Sequence, residues 1–417
     1  MMAIKAGEQG WGVGPVRHGT MRDRNLALVL DQVVRHQRIT RARLAEVTGF
    51  TKTTVSNLLA VLVDAGLVRE GGIVYDAERR GRPGTAISVH GAGAAGLGLE
   101  INVDYLAACV VDLARRVRYR HVVAADHRGR SPEAVVEALA RLAEEALASA
   151  SHQGLSVAGA TVALPGLLDR ERGVLRRAPN LGWADVPLQK LLHEGLPGLR
   201  LPVEYDNEAN LAALGELWFG AGTQLGDFVH VSGEIGIGAG IVVDGKVFRG
   251  AHGFAGELGH IVVEPGGARC GCGARGCLEQ TAGQEAILRA AGLDAVAVTS
   301  AASPGGSTAV LLDRLAKGDE RAHTAVRRAG KALGTTLAAV VNLFDPDAIV
   351  LGGIFSPLAP WAKASIEKAL AKNAGTLRDA LPPLVVSELA GGAAVLGAAG
   401  SVASRVTADP ALLLEES

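Results

Sequence analysis

The sequence predicts an α/β protein in which a winged helix-turn-helix precedes a two-lobed domain. Near the N-terminus, three segments with apolar residues at helical spacing are followed by two strand-like segments. Val-rich strands then alternate with Ala-rich helices in two successive groups, which indicates two α/β lobes with a cleft between them. The expected organisation is a disordered N-terminus at 1–21, the winged helix-turn-helix at 22–78, a basic linker at 79–90 and the two-lobed domain at 91–410.

Capping residues and helix breakers mark the N-terminal elements. Thr40 is predicted to cap the second helix, which Gly49 ends, and Thr51 to cap the third. Two short strands are expected on either side of Gly71-Gly72, a hairpin turn signal. Three helices followed by such a hairpin are typical of a winged helix-turn-helix.

The charge distribution favours DNA binding by this segment. Residues 22–90 contain 11 Lys and Arg against 7 Asp and Glu, a balance of +4, and because the whole chain has net charge −1 the remainder sums to −5. The start of a recognition helix faces base edges and phosphates. The predicted DNA contacts there are Thr51, Lys52, Thr53, Thr54, Ser56 and Asn57. Arg80 and Arg82, on a Pro-stiffened segment, are predicted to enter the minor groove.

A cysteine cluster in a Gly-rich loop is the most specific motif of the chain. Three thiolates and one imidazole make a tetrahedral set that suits Zn²⁺, and a site with four protein ligands is structural. The predicted ligands are His260, Cys270, Cys272 and Cys277, whereas Cys109 is expected to be a core residue. This cysteine usage, with no membrane span and no signal peptide, predicts a cytoplasmic protein.

With these motifs the chain resembles the ROK family (repressors, open reading frames and sugar kinases), specifically its DNA-binding regulators of the xylose- and N-acetylglucosamine-repressor type. The resemblance covers about residues 22–405 and is carried by the zinc motif at 256–279, with support from Leu164-Pro165-Gly166, Asn180-Leu181-Gly182-Trp183 and Leu351-Gly352-Gly353. It implies an actin-like ATPase (ribonuclease H-like) fold. The sugar contacts that it implies are Asn180, Asn207, Glu257, His260 and Glu279, and Glu208 is expected to hydrogen-bond a sugar hydroxyl.

The phosphate-binding parts of a kinase of this family are altered here. The family's Asp-x-Gly-Gly-Thr loop corresponds to Glu100-Ile101-Asn102-Val103-Asp104, and the Asp that serves as general base corresponds to Glu208. The second phosphate turn reads Glu234-Ile235-Gly236, so that an apolar side chain replaces a hydroxyl. Carboxylates and larger side chains repel and obstruct phosphate. We therefore expect the kinase activity to be lost.

These features predict a sugar-responsive transcriptional regulator, by default a repressor of carbohydrate metabolism. We expect a homodimer or homotetramer that binds palindromic operator DNA, with a monosaccharide or other small sugar as effector and no membrane partner. One alternative is a bifunctional ATP-dependent sugar kinase, of hexokinase or glucokinase type, that also binds DNA. Another is a regulator whose effector is a protein. The sequence does not identify the sugar or the operator.

Overall fold

The computed structural model describes residues 18–74, 84–196, 203–293, 306–375 and 380–414. These residues form two compact units, one containing the described residues up to His90 together with those from Arg405 onward, the other containing those between Gly91 and Ser404. Within the described residues, no helix combines the length and apolar character needed to cross a bilayer.

The first unit contains three helices and a small sheet, which confirms the predicted helix-turn-helix. Its elements are α1 (His18–His36), β1 (Ile39–Thr40), α2 (Arg41–Thr48), α3 (Lys52–Asp64), β2 (Val68–Val74) and β3 (Gly84–Val89). Both predicted caps are present, because Thr40 Oγ1 accepts a hydrogen bond from the Arg43 N–H at 3.2 Å and Thr51 Oγ1 from the Thr54 N–H at 3.1 Å. The C-terminal turn Pro410–Leu413 packs against α1.

The structure corrects the predicted wing and linker. Gly71-Gly72 does not form a hairpin turn, because β2 continues through it with an irregularity between Glu70 and Ile73. Gly72 has φ of 72°, and a glycine inside a strand often marks a bulge. The partner strand is β3, which lies within the predicted linker and is the central strand of the order β1-β3-β2.

Two further boundaries differ from the prediction. Helix α1 begins at His18, so 18–21 are helical although the sequence predicted disorder for 1–21. The residues from Arg405 onward group with the first unit, although the two-lobed domain was predicted to extend to residue 410. Arg80 and Arg82 lie outside the described residues.

The second unit contains two five-stranded sheets with the same topology. The first has the order β11-β7-β4-β5-β6 and the second β14-β13-β12-β15-β16. In each, an antiparallel meander of three strands is followed in the chain by two strands added in parallel. This repeat confirms the predicted two-lobed fold. A further sheet of three strands has the order β10-β9-β8. The strands of these three sheets are β4 (Ala94–Ile101), β5 (Tyr105–Asp112), β6 (Val117–Ala124), β7 (Ser156–Leu164), β8 (Leu167–Asp169), β9 (Val174–Ala178), β10 (Trp183–Val186), β11 (Glu204–Asn207), β12 (Phe228–Gly233), β13 (Ile237–Val243), β14 (Lys246–Val247), β15 (Ala348–Leu351) and β16 (Leu384–Val386).

Helices pack against these sheets through apolar faces. They are α4 (Pro132–His152), α5 (Leu188–Gly195), α6 (Glu208–Phe219), α7 (Glu279–Ala282), α8 (Gln284–Ala290), α9 (Gly306–Ala316), α10 (Glu320–Phe344), α11 (Phe355–Ala374) and α12 (Ala393–Ala408). In α4, Val135, Leu139 and Leu142 are buried in the first lobe. Helix α11 was not predicted, because Pro360 lies inside it and interrupts the helical sequence pattern.

Two glycines of β4 allow the backbone of α12 to pack directly against this strand. A Cβ at Gly96 would lie 2.3 Å from the Ala399 carbonyl oxygen, and one at Gly98 would lie 2.2 Å from that of Val395. Only glycine permits this approach of helix backbone to strand. The strand continues to Glu100, a residue of the site described next.

Candidate functional site

The predicted metal ligands converge on one point. Ligand atoms of His260, Cys270, Cys272 and Cys277 all lie within 4.8 Å of one another. The Cys272 and Cys277 sulfurs are 3.7 Å apart, as are Cys270 Sγ and His260 Nδ1. Two thiolates on one tetrahedral zinc, each bonded at about 2.3 Å, stand about 3.8 Å apart. The donor set and its spacing therefore fit a zinc ion held by Nδ1 and three sulfurs.

Backbone contacts of the cysteine loop explain its glycines. A Cβ at Gly276 would lie 1.7 Å from the Glu264 carbonyl oxygen, and the residue has φ of 74°. On the other side of the loop, Arg177 Nη2 donates to the Gly271 carbonyl at 3.3 Å. A Cβ at Gly271 would stand 3.3 Å from Pro179. The loop thus packs directly against the turn that presents Asn180.

Asn180 and Glu279 face each other across Gly236. A Cβ placed on Gly236 would lie 2.6 Å from Glu279 Oε2 and 3.2 Å from Asn180 Nδ2. The Asn180 turn is fixed by the hydrogen bond that Trp183 Nε1 donates to the Arg130 carbonyl at 2.8 Å. Two of the predicted sugar contacts therefore converge at a position where the chain has no side chain of its own.

Glu257 extends this polar wall toward the metal cluster. Its Oε2 lies 3.7 Å from His260 Nε2, the ring nitrogen that does not face the cysteines. His260 was predicted both as a metal ligand and as a sugar contact, and the geometry gives Nδ1 to the metal set. The carboxylate beside Nε2 is placed to orient the imidazole, as carboxylates beside metal-bound histidines do.

Asn207 holds the backbone of the site. Its Nδ2 donates to the Gly166 carbonyl at 3.0 Å, and its Oδ1 accepts from the Ala209 N–H at 2.8 Å as the N-cap of α6. The amide predicted to bind sugar therefore already bonds to two backbone groups. This places the next residue, Glu208, at the first position of α6.

Sequence reasoning missed the ion-pair network around Asp206. This buried carboxylate accepts from Arg249 at 2.7 Å and from Arg170 at 3.3 Å. Asn210 Nδ2 also donates to it, at 3.2 Å. A buried acid at the end of a strand was a visible signal, but its arginine partners are separated from it by 36 and 43 residues.

The end of the cleft that corresponds to the phosphate loop is filled by side chains. Tyr105 Oη donates to Glu100 Oε1 at 2.6 Å, and Asn102 Nδ2 donates to Tyr105 Oη at 3.2 Å. All three residues are buried. Burial raises the pKa of Glu100 to about 7.

Three carboxyl groups meet at this closed end. Glu100, Glu208 and Glu234 line one cavity together with His230, and water-sized space in it amounts to about 10 Å³. That is room for about one water molecule. Burial, reinforced by the neighbouring acids, raises the pKa of Glu208 to about 8 and that of Glu234 well above its usual range. Burial lowers the pKa of His230 to about 4, so no imidazolium offsets these acids.

Glu100→Gln is expected to stabilise the protein at neutral and alkaline pH but not in acid. The rise of the Glu100 pKa from 4.5 to about 7 corresponds to about 3 kcal/mol. Below pH 4.5 the carboxyl is protonated in both the folded and unfolded states. Stability is then lost as pH rises to about 7, because only the unfolded state releases the proton there. The melting temperature of the variant should exceed that of the wild type by several degrees at pH 8 and match it near pH 4.5.

Exposed Glu171 provides the matched control for this prediction. Glu171→Gln should leave the melting temperature close to that of the wild type at every pH. A Glu100→Gln effect of the same size at pH 5 and pH 8 would contradict the proposed burial of an ionisable carboxyl.

The predicted DNA contacts at the start of α3 differ in their exposure to solvent. Lys52, Thr53 and Asn57 are exposed, and Ser56 is half-buried. Thr51 and Thr54 are joined through their hydroxyls at 2.9 Å, and Thr51 also caps the helix. Their first role is therefore to hold the helix end, while Lys52, Thr53 and Asn57 are placed to reach a ligand.

Comparisons with known proteins agree with both units. The ROK family model matches residues 96–404, and the MarR family model matches residues 24–73. A putative xylose repressor of Caldicellulosiruptor sp. (strain Rt8B.4) is 30% identical over 399 residues, covering 94% of this chain and 98% of that protein.

Two solved structures illustrate the two kinds of relative. A ROK family transcriptional regulator, a homologue of the E. coli MLC protein, superposes with a TM-score of 0.74 at 28% identity and covers 94% of this chain and 98% of its own. A ROK family glucokinase from Streptomyces griseus, in complex with glucose and AMPPNP, has a TM-score of 0.63 at 31% identity. It covers 98% of its own chain but only 74% of this one.

Proposed function

The chain belongs to the ROK family and is a transcriptional regulator similar to xylose repressors, and from this premise we propose that it binds operator DNA and releases it when xylose enters the cleft. One structural observation is the main support for this proposal. Polar side chains converge on Gly236 beside the metal cluster, whereas the opposite end of the cleft is filled by Tyr105, Glu100 and Glu234. We call the polar side chains of Asn180, Glu257 and Glu279 the sugar wall. A cleft in which the sugar wall is open and the phosphate end is closed binds sugar without transferring phosphate.

The proposed sugar contacts are Asn180, Glu257 and Glu279, with Glu208 at the inner end. A sugar presents hydroxyl groups that both donate and accept hydrogen bonds, and amide and carboxylate groups match them. Asn207 acts indirectly, because its amide fixes the start of α6. His260 contributes through Glu257, which it faces at 3.7 Å.

We assign a structural zinc ion to His260, Cys270, Cys272 and Cys277. The ion would cross-link the loop that packs on the Asn180 turn. Four protein ligands leave no open coordination position, so the zinc contributes folding energy and no catalysis. Its role in sensing is to hold the sugar wall in shape.

Loss of kinase activity follows from the lack of space and from the absence of groups that attract phosphate among the described residues that line this end of the cleft. Nucleotide phosphates would have to approach Glu100, Glu208 and Glu234, which line a cavity with room for about one water molecule. In known kinases, phosphate sites supply backbone N–H groups and cations. The relatives that match almost the whole length of the chain are regulators, which also favours a non-enzymatic role.

DNA recognition is assigned to the exposed side chains of α3 in a homodimer or homotetramer that acts in the cytoplasm. Asn57→Ala should weaken binding to the specific operator by about 10-fold or more, because an amide paired with a base edge contributes roughly 1–3 kcal/mol of discrimination. Lys52→Ala should instead weaken binding to all sequences. It should also reduce the slope of log affinity against log salt concentration by about one, because one phosphate contact is lost. Fluorescence anisotropy at several salt concentrations separates the two effects.

Asn373→Ala serves as the control, since Asn373 lies on α11 and bonds to the Ala369 carbonyl of the same helix. It should leave operator affinity unchanged. Equal loss of specific and non-specific binding in Asn57→Ala would contradict a base-reading role for this residue.

The function is tested with operator duplexes selected from a random pool by the purified, zinc-loaded protein. Xylose should weaken operator binding by at least about 10-fold, the usual size of an allosteric coupling. ADP release should stay at background with xylose or glucose, whereas turnover would support the bifunctional kinase. If no sugar changes operator affinity, the sensor assignment fails and a protein effector becomes the better hypothesis.

A further inference from the structure

Glu208 occupies a position that the surrounding structure holds rigidly. It follows the N-cap Asn207, whose side chain bonds to the backbone of Gly166 and Ala209. Asp206, on the other side of Asn207, is held by two arginines. The Cα of Glu208 therefore has little freedom to retreat from the cleft, and the length of its side chain determines how far its carboxyl reaches.

The carboxyl of Glu208 lines the small cavity at the closed end of the cleft. Four other carboxyl groups act on it electrostatically, those of Glu100, Asp104, Glu257 and Glu279. Behind it, Glu100, Glu234 and His230 leave space for about one water molecule. The structure gives no hydrogen-bond partner for this carboxyl among the described residues. Because so little space remains beside it, this carboxyl is placed to limit how deeply a ligand can enter the cleft.

In a sugar kinase the group at this position must reach the hydroxyl that attacks phosphate. For a glucokinase that hydroxyl is on the exocyclic carbon of glucose. The corresponding kinase residue is an aspartate, and the additional methylene of Glu208 extends the carboxyl by about 1.5 Å. In a cleft closed behind it, this extension takes the space of the exocyclic CH₂OH group.

We propose that Glu208 sets the effector class, admitting an aldopentose in its pyranose form and excluding the hexose that carries one more CH₂OH group. The inference rests on the proposed function, because it assumes that sugar occupies the cleft. Discrimination between ligands that differ by one small group is about 10- to 200-fold in rigid pockets. The carboxyl of Glu208 accepts a hydrogen bond from a ring hydroxyl of the pentose.

Titration calorimetry of the zinc-loaded full chain with D-xylose and D-glucose tests the proposal. The wild type should bind xylose at least about 10-fold more tightly than glucose. Glu208→Asp, which shortens the side chain, should raise glucose affinity about 10-fold or more and abolish the preference. Glu208→Gln, which keeps the length and removes the ionisable carboxyl, should keep the preference for xylose. A ratio unchanged in Glu208→Asp, or lost in Glu208→Gln, would overturn the proposal.

A ligand series on the wild type keeps the test independent of whether the variants fold. Affinity should fall from xylose to 6-deoxyglucose to glucose as the substituent grows. Equal affinity for all three would overturn the steric proposal while leaving sugar sensing intact. Binding of none of them by folded wild-type protein would contradict the proposed function itself.

Discussion

Cys277→Ser is expected to yield a protein without bound zinc, with a melting temperature lower by about 10 °C or more, and with no measurable sugar binding. Cys277 is buried, and its sulfur lies 3.7 Å from that of Cys272. Two residues further along the chain, Glu279 faces Asn180 across Gly236. Loss of the ion releases the loop that also contacts Pro179 and Arg177, so both sides of the sugar wall lose their support.

Zinc content by atomic emission, thermal melting and sugar calorimetry measure this prediction together. Cys109→Ala is the matched control, because Cys109 is a buried β5 residue packed among apolar side chains of the first lobe. That variant should keep one zinc ion and its sugar affinity. Full sugar affinity in a folded Cys277→Ser protein would show that the metal cluster does not support the site.

Asn180→Ala is the second change with a large expected effect. The loss of an amide that bonds sugar hydroxyls in a partly closed site should weaken xylose binding by about 10- to 100-fold. Operator affinity without sugar should stay at the wild-type value, since the substitution lies in the second unit, whereas the proposed DNA contacts lie in the first. Anisotropy titrations with and without xylose measure both quantities on one sample.

Gly236→Ala provides an independent check of the same wall. Its Cβ would stand 2.6 Å from Glu279 Oε2 and 3.2 Å from Asn180 Nδ2, so it removes space and no polar group. This variant should also lose xylose binding and keep operator affinity. Normal xylose binding in both Asn180→Ala and Gly236→Ala would place the effector site elsewhere.

Local sequence patterns predicted the parts of the fold that depend on neighbouring residues. Thr40 and Thr51 are helix caps as expected, because their hydroxyls need only the N–H group three residues ahead. The cysteine spacing predicted the metal cluster for the same reason, since the three cysteines lie on one short loop and only His260 is contributed from outside it.

Features that depend on contacts between residues far apart in the sequence were predicted wrongly or were not predicted. Gly71-Gly72 resembles a hairpin turn in the sequence, but the position of β3 makes it a bulged part of a continuous strand. The partners of Asp206 lie on other segments of the chain, and no local pattern connects them. Asn207 was predicted as a sugar contact from the family resemblance, and the hydrogen bonds of its amide to backbone groups could not be read from the local sequence.

Sugar sensing without phosphate transfer requires an open sugar wall and a closed phosphate end in the same cleft. Calorimetry on one zinc-loaded preparation tests it directly, by titrating D-xylose and, separately, Mg²⁺ with AMPPNP in the presence and absence of the sugar. We predict saturable binding of xylose and no binding of the nucleotide under either condition. Saturable nucleotide binding, or the absence of xylose binding by folded protein, would contradict the account.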